Sequence, residues 1–131
     1  MTNYKPKILV LDEDLLALEL YARELSMDYE VVTSSSVGES LEHLAAYQPD
    51  VVVIEPATND DTGWQVIDAV LLMKCPANVI LCSTQDYPPQ RPDTVVDRYL
   101  VKPVLPVALH CLVDQIINWR LNHLHSKLEQ D

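Results

Sequence analysis

A handful of polar side chains stand where apolar runs stop, and their types are those that hold cations or pair with them. In "KILVLDED" the acids Asp12, Glu13 and Asp14 follow Leu11, and in "DVVVIEP" Glu55 follows Ile54. "NVILCS" ends on Ser83, and "RYLVKP" leads to Lys102 and Pro103. Carboxylates of this kind supply hard oxygen ligands or accept charge-assisted hydrogen bonds from an ammonium ion. Glu55 is the most demanding of them. An unpaired charge at the mouth of an apolar sheet is expensive, so this acid needs a partner or a purpose.

The elements that must position these groups follow from periodicity. "KILVL", "YEVVTS", "DVVVIE", "NVILCS" and the shorter "RYLV" read as strands, several of them continuous apolar runs of the kind covered on both faces. Between them, Leu15, Leu18, Ala22 and Leu25 recur at helical spacing, as do Val37, Leu41, Leu44 and Ala45 behind a Ser36/Glu39 capping box. "GWQVIDAVLLMK" supplies a third helix with Ile67, Val70 and Leu71 inward, and Pro106 suits the first turn of a last one. Strands alternating with helices through short loops predict a doubly wound α/β domain, a parallel sheet with helices on both faces. Ligands of such sheets bind beyond the carboxyl ends of the strands, which is where Asp12, Glu13, Glu55, Ser83 and Lys102 should meet.

Composition narrows the function classes. At 131 residues the chain has the size of one domain, and 20 acids against 9 Lys and Arg give a formal charge of −11. A phosphate backbone repels such a surface, so nucleic acid is not an expected partner. No run is long and apolar enough for a bilayer span, and "MTNYKPK" lacks a signal peptide's apolar stretch, so a membrane is not expected and the location is read as cytoplasmic. With Gly38 and Gly63 as the only glycines, no P-loop or G-x-G-x-x-G motif is present. Cys75, Cys82 and Cys111 read as buried reduced thiols. His43, His110, His123 and His125 are scattered over helices, with no two-histidine metal site expected.

In order along the chain, "ILVLDED", "PDVVVIEP" with Gly63 eight residues past Glu55, "VILCST" and "YLVKP" resemble the receiver domain of bacterial two-component response regulators, from Lys7 to about Arg120. The resemblance implies a flavodoxin-like five-stranded sheet of order 2-1-3-4-5. It implies a phosphoacceptor position at Glu55, acids Asp12 and Glu13 in the pocket, switch residues Ser83 and Tyr99, the family's lysine at Lys102, and a cis peptide before Pro103. Tyr99 reads equally well as an ordinary strand tyrosine. The implied function is a signalling module in phosphorelay (two-component) signal transduction, not an enzyme. Its implied partners are a histidine kinase, a downstream effector, or an output domain of its own.

Glu55 departs from the family's aspartate. The added methylene advances the carboxylate by about 1.5 Å, and in-line transfer is sensitive to misplacement of that size. Phosphorylation at Glu55 is therefore not expected. The extra reach favours an ion pair with Lys102, which would imitate a phosphorylated state, freeze one binding-competent shape, or serve only the fold. Asp12, Glu13, Glu55 and the carbonyl of Ala57 offer oxygens of the type Mg²⁺ takes, but Lys102 competes for the same carboxylates, so no cofactor is expected and Mg²⁺ is the alternative. A conventional Mg²⁺-dependent receiver is the competing function. A haloacid-dehalogenase-like phosphatase is a weaker one, because no acidic pair follows Lys102 at a strand end.

Two segments depart from a plain receiver pattern. "TQDYPPQRPDTVVD", between the fourth and fifth strands, carries Pro88, Pro89 and Pro92, so the helix there is expected to be missing or reduced to a turn. The last helix reads past the domain, which is taken as residues 1–120, into an extension at 121–131. Ile117, Leu121, Leu124 and Leu128 form an apolar stripe along it that predicts a homodimer contact, or a linker.

Overall fold

Strands and helices alternate as the apolar runs predict. The computed structural model describes residues 4–84 and 96–129, with residues 124–129 by backbone alone. The order is β1 (Lys7–Leu11), α1 (Leu15–Leu25), β2 (Glu30–Ser34), α2 (Val37–Tyr47), β3 (Val51–Ile54), a single turn α3 (Thr58–Asp61), α4 (Trp64–Leu71), β4 (Asn78–Ser83), β5 (Arg98–Val101) and α5 (Pro106–Glu129). The strands form one parallel sheet in the order β2-β1-β3-β4-β5. The segment between β4 and β5, where a missing or degenerate helix is expected, lies outside the described residues, as do the side chains of Leu124 and Leu128.

The central strands are apolar throughout because both of their faces are covered. Ile8, Val10, Val51, Val53, Ile80 and Cys82 point to one face, against Leu18, Tyr21 and Leu25 of α1 and Leu109, Val113, Ile116 and Ile117 of α5. The alternate residues Leu9, Leu11, Val52, Ile54, Val79 and Leu81 point to the other, against Val37 and Leu44 of α2 and Val66, Ile67 and Val70 of α4. A residue's parity along the strand therefore decides which helix pair it meets.

Several expectations about helix faces are corrected. Leu15 and Leu71 are exposed, and Val66 takes the inward place on α4. Cys75 and Cys111 are exposed, and of the thiols only Cys82 is buried, with burial pushing it up to about 12. Ile117 is not part of an exposed stripe. It is 5% exposed and belongs to the core under α5, because the helix still lies on the sheet at that point. One turn later Arg120 hydrogen-bonds the Pro76 carbonyl and Asn78, and Leu121 is exposed. Leu121 is thus the one residue of the proposed dimer contact with an exposed side chain among the described residues.

Candidate functional site

Ladder hydrogen bonds run one residue beyond the strands and fix where the polar groups leave the sheet. The Asp12 amide donates to the Ser34 carbonyl (3.1 Å), the Glu55 amide to the Leu11 carbonyl (2.9 Å) and the Lys102 amide to the Ser83 carbonyl (2.7 Å). Asp12, Glu55, Ser83 and Lys102 are therefore held at the C-terminal edge, at the level set by strand register. Asp12, Glu55 and Ser83 are buried there.

Lys102 joins the two acids. Its Nζ lies 2.6 Å from Asp12 Oδ2 and 3.0 Å from Glu55 Oε2. The remaining carboxylate oxygens are also engaged: Asp12 Oδ1 accepts the Asp14 amide (2.9 Å) and Glu55 Oε1 accepts the Ala57 amide (3.1 Å). Burial by itself would pull the ammonium down. The hydrogen bonds and charges of Asp12 and Glu55 outweigh it and hold Lys102 above its ordinary value. Buried charges are tolerable only when paired and hydrogen-bonded, and this trio meets both conditions. Glu55 has its partner.

The neighbouring acids have other tasks. Asp14, exposed, caps α1 by accepting the Leu16 and Ala17 amides. Glu13 does not enter the pocket, a correction to its expected place beside Asp12. It is exposed and accepts the Asn59 amide. Asn59, Asp60 and Asp61 beside it are left-handed, at φ 53°, 58° and 65°. Asn59 Oδ1 in turn accepts the Val37 amide at 2.7 Å, tying the turn to the start of α2. Gly63 lets the chain close behind Glu55: a Cβ there would lie 2.8 Å from the Pro56 carbonyl and 2.9 Å from that of Glu55.

The Lys102–Pro103 peptide is cis, as the resemblance implies. Tyr99 is half-buried and packs against the α2–α4 face of the core. An ammonium ion lies between Asp12 and Glu55, Glu13 faces Asn59, and the Ala57 carbonyl accepts the Asp61 amide. Beside Lys102 a cleft of about 380 Å³ is lined by Leu16, Leu20, Tyr21, Pro103 and Val104 among others. Leu16 in that lining is exposed, as are Leu15, Leu105 and Val107 nearby in the chain. Helical spacing alone put Leu15 inside.

No family model matches the chain. It is 28% identical over 101 residues to the sensory transduction protein LytT of Bacillus cereus and equally to that of Bacillus anthracis, matching 74% of this chain and 41% of each relative. The chain thus spans about two fifths of the length of the curated relatives it matches. The response regulator receiver domain protein (CheY-like) of Methanospirillum hungatei superposes with a TM-score of 0.82 at 18% identity, over 92% of this chain and 99% of that one. The chemotaxis response regulator CheY4 of Vibrio cholerae gives 0.77 at 20% identity, over 86% and 99%. The fold of this chain is that of CheY-like response regulator receiver domains.

Proposed function

We propose that the chain is a receiver-like signalling module of two-component signal transduction that acts by protein–protein contact and is not phosphorylated at Glu55. The observation that carries this reading is the Lys102 ammonium between Asp12 and Glu55, with the Ala57 amide occupying the other Glu55 oxygen. Held this way, both Glu55 oxygens already accept hydrogen bonds, and neither is open to an incoming phosphoryl group. In-line attack would need the ion pair to open first, and the longer Glu side chain misplaces the nucleophile further.

A protein partner fits the surface better than a small ligand does. Exposed Leu16 lines the cleft beside Lys102, and Leu15 and Leu105, each next to a lining residue in the chain, are exposed as well; exposed apolar patches rimmed by polar groups mark contact sites. The partner is a histidine kinase, an effector, or an output domain belonging to the same protein.

Incubation with acetyl phosphate and Mg²⁺ followed by intact-mass measurement tests the reading. The expected result is an unchanged mass. A gain of one phosphoryl group that disappears in Glu55→Gln would establish a conventional receiver instead.

A further inference from the structure

Where the last turn of α1 meets α5, an imidazole is enclosed by carboxylates that take no part in the Lys102 pocket. His110 Nδ1 lies 2.6 Å from Glu24 Oε2, while Nε2 lies 2.7 Å from Asp28 Oδ2 and 3.6 Å from Asp114 Oδ1. The His110 side chain is 12% exposed, and those of Asp28 and Asp114 are 58% and 46% exposed, so the cluster opens to solvent on the Asp28 side. We propose that His110, Asp28 and Asp114 form a binding site for a zinc-class divalent cation, with Glu24 and Tyr29 as its outer support.

The donor set and its orientation carry this inference. One imidazole nitrogen with two carboxylate oxygens suits zinc and its first-row neighbours, whereas Mg²⁺ and Ca²⁺ prefer oxygen alone. In metal sites the second ring nitrogen of a ligating histidine commonly donates to a carboxylate, which fixes the ring and the tautomer. Glu24 is placed to do this at Nδ1, leaving Nε2 to face Asp28 and Asp114. The Tyr29 hydroxyl donates to Asp114 Oδ1 and holds that carboxylate in place. The Tyr29 ring also meets the imidazole edge-on, with centroids 5.9 Å apart.

The dimensions fit. The candidate ligand atoms of His110, Asp28 and Asp114 all lie within 4.8 Å of one another. Tetrahedral coordination with bonds of about 2.0–2.1 Å separates ligand atoms by about 3.3 Å. The two observed spacings at Nε2, 2.7 and 3.6 Å, lie on either side of that value. Small rotations of Asp28 and Asp114 therefore suffice, and a solvent water can complete the shell from the open side.

The cluster was beyond sequence reasoning, because its members are contributed by α1, the turn after it and α5. The test is calorimetric titration of zinc into the metal-freed chain. The expected result is one ion per chain, weakened at least tenfold by His110→Gln and by Asp28→Asn. Glu24→Gln should weaken it by about tenfold, because it loosens the Nδ1 support. Should His110→Gln fail to fold, the exposed Asp28→Asn decides alone. No saturable binding below millimolar zinc, or binding unchanged by these variants, would overturn the proposal; the latter would place zinc on exposed Cys75, Cys111 or His123 instead.

Discussion

Glu55 and Lys102 are joined by an ion pair of 3.0 Å at the C-terminal edge of the sheet, and the same ammonium lies 2.6 Å from Asp12. The cation is therefore shared, and its removal leaves two buried carboxylates facing one another. Lys102→Met should lower unfolding stability at neutral pH by about 3–5 kcal/mol, the usual effect of breaking a buried pair from one side. Chemical denaturation at neutral pH measures it, and a loss no larger than that of an exposed ion pair, about 1 kcal/mol, would mean that the acids do not depend on the shared cation.

Gly63→Ala should destabilise the chain by about 1–3 kcal/mol. The added Cβ meets the Pro56 and Glu55 carbonyls at 2.8 and 2.9 Å, and backbone atoms cannot rotate aside as a side-chain end would. Urea unfolding of the variant is the check. A neutral result would mean that the turn behind Glu55 moves freely.

Asn59 has two separable roles, which two variants distinguish. Asn59→Gly keeps a residue at ease in the left-handed region at φ 53° but removes the acceptor for the Val37 amide. Asn59→Ala removes the acceptor and strains the backbone as well. The expected order of stability is wild type, then Gly, then Ala, with the first step near 1 kcal/mol. If Gly and Ala unfold at the same denaturant concentration, backbone conformation contributes nothing at this turn.

His110 gives a pH dependence of known sign. Glu24 raises it most, against a lowering by burial, with Asp28 and Asp114 adding to the rise; Tyr29 also lies against the ring. A group raised on folding contributes stability that is complete below its unfolded value of about 6.5. That contribution is lost as pH rises through the folded value. In buffer containing a chelator, thermal stability from pH 6 upward should fall more steeply for wild type than for His110→Gln. Parallel curves would show that the imidazole is not charged in the folded chain.

Local pattern along the chain is enough to give the layers and the edge at which the polar groups emerge. Short apolar runs such as Val51–Ile54 must be covered on both faces, and Leu18 and Leu25 recur at helical spacing. Both signals are local, so composition and period reveal them. Asp12, Glu55, Ser83 and Lys102 were legible for the same reason, as each directly follows or ends a strand.

Which groups touch depends instead on how the elements pack. Glu13 and Asp12 are adjacent in sequence, yet one is buried on Lys102 and the other meets Asn59, whose left-handed backbone no spacing rule announces. Leu15 and Leu18 fit the same helical period, but the angle at which α1 lies on the sheet buries Leu18 and exposes Leu15. Ile117 and Leu121 share one apolar stripe, and the point where α5 leaves the sheet divides them. His110 joined Glu24, Asp28 and Asp114 because α1 and α5 cover the same face, and contact between distant segments is set by packing, which no local pattern encodes.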